Sequence, residues 1–216
     1  MTCDHSGPHS GAARYARGAS RLRLVLVCDE CGSELRVLTT RGYRPHGRRF
    51  VGHLAELTAR QLELSESQIA RIRLAAMICD VGRDRIPAHI LNKRGPLTPA
   101  EWVEVRRQPE LGAALLSATS FDDIRDWIAS RRERPDGRGY PHGLSGQEIP
   151  VEARILAVAD AYVAMTSDRA HRAAQDHESA TLELMRGAGS QFDAAIVSAF
   201  VMACALRTAT IASRAA

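Results

Sequence analysis

The chain has 216 residues, of which 45% are hydrophobic, 25% charged and only 5% aromatic. That length and balance exclude a disordered or fibrous chain and fit one core with a small appendage; an apolar set dominated by alanine and leucine favours helices. The net charge of +4 is a property of the N-terminal part, where residues 1–49 hold nine arginines, no lysine and four acids, leaving the remainder close to neutral.

Residues 4–20 are rich in Gly, Ser, Ala, His and Arg and are expected to be flexible. Leu22, Leu24 and Leu26 then alternate with Arg21, Arg23 and Val25, a strand pattern. Cys28-Asp29-Glu30-Cys31-Gly32 forms a tight turn, and Leu35 to Leu38 runs back as a second strand. The expected product is a small Cys-containing β-hairpin within an N-terminal segment, residues 1–45. Five cysteines (Cys3, Cys28, Cys31, Cys79, Cys204) give an odd count with no even framework, so Cys28-x-x-Cys31 points to metal before disulfide. A pair of cysteines on a hairpin is half of a zinc ribbon, because the turn aims both sulfurs at one point. Cys3 and His5 are the nearest candidates for the other half, with His9 as a spare, although Cys3-x-His5 is short for the purpose. Free thiols, or a site completed by another subunit, stand as alternatives. The arginines here suit nucleic-acid contact, and equally a solvated arm, which is the plainer reading.

Residues 46–207 read as helix after helix, with 208–216 as a C-terminal tail. Val51, Leu54, Leu57 and Leu62 share one helical face; Ile69, Ile72, Ala76 and Cys79 share another. Thr98-Pro99-Ala100-Glu101 is a capping box with proline at the first helical position. A short helix follows Ser120 with Ile124, Trp127 and Ile128 inward. Pro150 introduces a helix from Val151 to about Met165, with Ile155, Val158, Ala159 and Tyr162 as its stripe. Glu178–Arg186 and Asp193–Leu206 are the last two, with Asp193 as N-cap. The longest apolar run, Ala194 to Leu206, is far short of the ~20 residues that span a bilayer. With no hydrophobic signal core in Met-Thr-Cys-Asp-His, a cytoplasmic protein with no membrane partner is expected. Cys204 reads as core, His53 and His142 as solvent-facing, and His89 and His177 lack a partner at ligand spacing.

Residues 133–141, Glu-Arg-Pro-Asp-Gly-Arg-Gly-Tyr-Pro, form a constrained loop of glycines and prolines. The string resembles the signature loop of the HD-GYP phosphodiesterases, and further motifs follow that family in order. They are Cys79-Asp80-Val81-Gly82-Arg83, Ile86-Pro87, Ile90-Leu91-Asn92-Lys93, Leu97-Thr98-Pro99-Ala100-Glu101 and Gln108-Pro109. Ile149-Pro150, Ala153 to Asp160, Ser167-Asp168-Arg169 and Gln191-Phe192-Asp193 complete the match. The resemblance implies a mainly α, HD-GYP-like domain and metal-dependent hydrolysis of cyclic di-GMP. It also implies nucleotide contacts from Tyr140, Arg169 and Arg172, with Arg83 keeping the charge of the family's lysine, and Arg131 and Arg132 are further ligand-binding candidates.

The departures fall on the metal site. Where the family has histidine this chain has Cys79, Gln108, Arg131 and Arg132, and Val163 replaces a further aspartate. Only Asp80 and Asp160 persist as evident ligands. A hydrolytic metal pair needs several imidazoles and carboxylates converging on the ions, and arginine is always cationic. The family's Fe or Mn pair is therefore expected to be absent, with Asp80, Asp160 and Cys79 vestigial. Arg131 and Arg132 are expected to pair with the two aspartates at the former metal position. The leading expectation is a non-hydrolytic relative acting as a cyclic-dinucleotide sensor or protein-interaction module. The alternatives are an active phosphodiesterase with an atypical metal site, and a zinc-ribbon regulator binding nucleic acid.

Overall fold

A computed structural model describes the backbone of residues 9–15, 21–28, 34–41, 45–116, 121–168 and 173–215, and side chains within 47–116, 121–168 and 173–206. Three strands come first: β1 (His9–Tyr15), β2 (Arg21–Cys28) and β3 (Glu34–Arg41), in one antiparallel sheet of order β1-β2-β3. Tyr15 pairs with Leu22 and His9 with Cys28, while Leu24 faces Leu38 across the other ladder. The flexible stretch expected over 4–20 is thus a strand between His9 and Tyr15. Ser10-Gly11-Ala12-Ala13 carries no apolar alternation, so its pairing rests on backbone bonds to β2, which a side-chain pattern cannot reveal.

The rest is helical. The elements are α1 (Pro45–Gln61), α2 (Glu66–Ile78), α3 (Ala88–Leu91), α4 (Pro99–Arg106) and α5 (Gln108–Ala114), then α6 (Asp122–Ser130), α7 (Val151–Met165), α8 (His177–Arg186) and α9 (Ala194–Ala215). Short 3-10 turns lie at Val81–Arg85 and Gly146–Glu148. The capping box at Thr98 and Glu101 forms as the spacing predicts, and a second one, Ser65 with Gln68, opens α2. Asp193 caps α9 by accepting from the Ala195 and Ile196 amides, and its other oxygen accepts from Arg154 at 2.6 Å. The backbone of α9 continues to Ala215, through the segment expected as a tail.

Helix α7 is apolar on nearly every side, with Ala153, Ile155, Leu156, Val158, Ala159 and Val163 all buried, and so it occupies the centre. Helix α1 packs on α2, α7 and α9; α5 packs on α6 and on the Val81–Arg85 turn. Gly82 lets that turn meet α5, since a Cβ there would run into the Gln108 carbonyl and the Gly112 backbone. This contact, with the start of α1 and the end of α6, brings the residues of the site to one end of α7.

Candidate functional site: an arginine-bridged carboxylate pair

Asp80 stands just after α2 and Asp160 in the last turns of α7, so two helices deliver two carboxylates to one place. Burial alone would push both carboxyl groups up; the guanidiniums of Arg131 and Arg48 overcome it and hold both below the usual carboxylate range. Arg131 caps the C-terminus of α6, and its side chain is only 2% exposed. It donates Nη2–H to Asp80 Oδ1 at 2.7 Å and Nη1–H to Asp160 Oδ2 at 3.4 Å.

Arg48, in the first turns of α1, makes the matching bridge. It donates Nη1–H to Asp160 Oδ1 at 2.8 Å and Nη2–H to the other oxygen of Asp80. Gln108 at the start of α5 adds an amide N–H to Asp80 Oδ1 at 3.1 Å, so this side chain acts as a donor and not as an oxygen ligand. All four carboxylate oxygens therefore face N–H donors. The two guanidiniums tie α1, α6 and α7 to the end of α2 through charge-assisted hydrogen bonds.

Cys79 is buried beside the pair, accepting from Arg48 Nη1 at 3.1 Å. Burial pushes its thiol up despite the nearby arginines, so at neutral pH it is a neutral thiol. Arg132 pairs with Asp160 at 3.4 Å, as expected, but from the outside, with its side chain 41% exposed. The second cation inside is Arg48, which sequence reading passed over as part of a basic arm. Its signal was there. Arg48, Val51 and Ala55 are spaced for one helical face, and Val51 and Ala55 are fully buried. An arginine in line with that stripe must be buried, and a buried charge needs partners. Arg83 is exposed, near enough for its charge to help depress Asp80.

The 133–141 loop is organised by Glu133, a second residue missed in the sequence. Its buried carboxylate accepts the His142 amide at 2.6 Å and the Leu144 amide at 3.1 Å. Gly139 crosses so close to the backbone of Glu133 and Arg134 that no Cβ fits there. Tyr140 is half-buried; its N–H donates to the Arg132 carbonyl at 3.2 Å, and the Arg106 guanidinium lies over its ring, 5.8 Å from the centroid. His142 is exposed, as expected. His177 does find a partner: its Nδ1 lies 2.7 Å from the Tyr162 hydroxyl.

Arg169 and Arg172 lie outside the described residues, as do Cys3, His5 and Cys31; Cys28 ends β2. Among the described residues, no three His, Cys, Asp or Glu side chains converge to hold a metal ion. No helix of the described residues is long and apolar enough to cross a membrane.

Comparison with known proteins agrees with the loop and the helices. A cyclic di-GMP phosphodiesterase response regulator of Xanthomonas campestris pv. campestris, RpfG, is 41% identical over 154 residues, covering 70% of this chain and 41% of that protein. A probable cyclic di-GMP phosphodiesterase of Vibrio cholerae is 36% identical over 148 residues, covering 64% of this chain and 34% of that protein. The chain thus spans about a third to two fifths of the length of these curated relatives. In fold it is similar to an HD-GYP-type protein of Bdellovibrio bacteriovorus, with TM-score 0.59 and 17% identity, over 72% of this chain and 50% of that one. A cyclic GMP-AMP specific phosphodiesterase of Vibrio cholerae gives TM-score 0.55 and 20% identity, over 76% of this chain and 44% of that one. With residues 27–196 matched to the family described as HD domain, and relatives of the cyclic di-GMP phosphodiesterase type, this chain belongs to the HD domain family.

Proposed function

We propose that this chain binds a cyclic dinucleotide without hydrolysing it, as a sensor or interaction module. The observation that carries the reading is the double guanidinium bridge, Arg48 and Arg131, across Asp80 and Asp160. Hydrolytic metal pairs in this family call on imidazoles and free carboxylate lone pairs. Here every oxygen of the two aspartates accepts from an N–H group, two permanent cations sit between them, and the adjoining thiol is neutral. The residues present do not fit a pair of divalent ions. They do fit phosphate. Arg48, Arg131, Arg132 and Arg83 around two aspartates leave a positive surplus, and Arg132 and Arg83 are exposed where an anion can reach them. Cyclic dinucleotides are the ligands that the relatives' names specify, and Tyr140 keeps its place in the loop beside Arg132.

A second reading, an active phosphodiesterase with an atypical metal site, is favoured by the relatives themselves, which are named as phosphodiesterases. Calorimetry with cyclic di-GMP in the presence of EDTA tests the main reading. Saturable heat with no metal added is expected; no heat at high micromolar nucleotide overturns it.

A further inference from the structure

Helix α4 buries none of its own residues, yet it carries Trp102, 49% exposed, with Val103 beside it more open still. Leu97, Pro99, Trp102, Val103 and Arg106 line an open groove of about 400 Å³, within the usual range for small-molecule sites. A large exposed aromatic over such a groove is surface that the core does not explain.

A chain of contacts links the groove to the arginine-bridged pair. Arg106 closes one side of it and lies over the ring of Tyr140. Tyr140 is bonded through its N–H to the carbonyl of Arg132, whose guanidinium reaches Asp160. Going outward, the order is charge, tyrosine, arginine, tryptophan. Planar bases stack on aromatic faces and on guanidinium planes, while their phosphates seek arginine.

We propose that the Trp102 groove is the subsite for a purine base of a bound nucleotide, whose phosphate faces the arginines around Asp80 and Asp160. The groove then sets which base is accepted, while the arginines hold the charge common to all nucleotides. This rests on the reading of the chain as a cyclic-dinucleotide binder, although the groove itself recognises a base and not the cyclic backbone.

The test uses the full chain and tryptophan fluorescence. There are two tryptophans, and Trp127 is buried, so a Trp102→Phe variant isolates the Trp102 signal. Cyclic di-GMP is expected to quench the wild type and not Trp102→Phe. Trp102→Ala is expected to weaken binding about tenfold, the order associated with one stacked base, with Trp102→Phe recovering most of it. Circular dichroism confirms that both variants fold. If cyclic di-GMP binds wild type and Trp102→Ala equally and leaves fluorescence unchanged, the subsite is wrong and the binding reading stands. If cyclic di-GMP does not bind but the mononucleotide GMP quenches Trp102, the binding reading fails and the base subsite stands. If neither nucleotide acts, both fall. A wild-type dimer that Trp102→Ala converts to monomer assigns the groove to a second copy of the chain and overturns the proposal.

Discussion

Replacing Arg131 by methionine is the sharpest perturbation of the carboxylate pair, because the side chain is only 2% exposed and touches both aspartates. At separations of about 3–4 Å, each guanidinium–carboxylate pair attracts by roughly 4–6 kcal/mol at an effective dielectric of ~20, much of it offset by desolvation. Removing one member of a buried pair is costlier than the pair is worth, since the charge left behind stays buried; the typical loss is about 3–5 kcal/mol. Arg48 still bridges both aspartates in the variant, which places the expected loss near the lower end, about 3 kcal/mol. At roughly 2–4 °C per kcal/mol for a chain of this size, the midpoint of thermal unfolding falls by roughly 6–12 °C at pH 7. Exposed Arg49 replaced by methionine serves as control, with a change within about 0.5 kcal/mol. Combining Arg131→Met with Asp160→Asn removes the excess carboxylate while Arg48 stays paired with Asp80, and is expected to regain part of the loss. A shift under 2 °C for Arg131→Met alone would refute the reasoning, because it would mean that the buried guanidinium has no energetic hold on the carboxylates.

Acid is expected to destabilise the chain in a defined window. Asp80 and Asp160 have folded pKa values below the unfolded value of about 3.9. The folded state therefore binds fewer protons; the stabilisation is fully present above about pH 5 and is lost as pH falls through the folded values. Urea midpoints from pH 7 to pH 2.5 check this, and Asp160→Asn should flatten the fall; an equally steep fall in that variant contradicts it. Glu133→Ala is expected to cost about 1.5–3 kcal/mol, since a buried carboxylate holds two loop amides. Hydrogen exchange at the His142 and Leu144 amides should quicken, and unchanged protection there would assign the loop's order to its glycines and prolines alone. Purified protein is expected to carry no stoichiometric Fe or Mn; elemental analysis finding close to one ion per chain or more would return Asp80 and Asp160 to the role of ligands.

The helical half of the fold is legible in the sequence because its signals are local. Thr98 and Glu101 cap α4, Asp193 caps α9, and the stripe on α7 is unbroken. Strand β1 is not legible, since its residues are small and its bonds are made by the backbone. In the site, Asp80, Asp160 and Arg131 could be placed together because a family pattern orders them along the chain. Arg48 could not, because its partners lie 32 and 112 residues away and it is one of nine arginines among residues 1–49. Arg132, adjacent to Arg131 in sequence, reaches the same Asp160 oxygen but with its side chain 41% exposed against 2% for Arg131, a difference in depth that adjacency in sequence does not reveal.

Binding without hydrolysis is checked by incubating the full chain with cyclic di-GMP and Mn or Fe and separating the nucleotides by chromatography. The cyclic nucleotide is expected to be recovered intact, the bound fraction included. Linear product formed by the wild type and abolished by Asp80→Ala would contradict it and establish the chain as a metal-dependent phosphodiesterase.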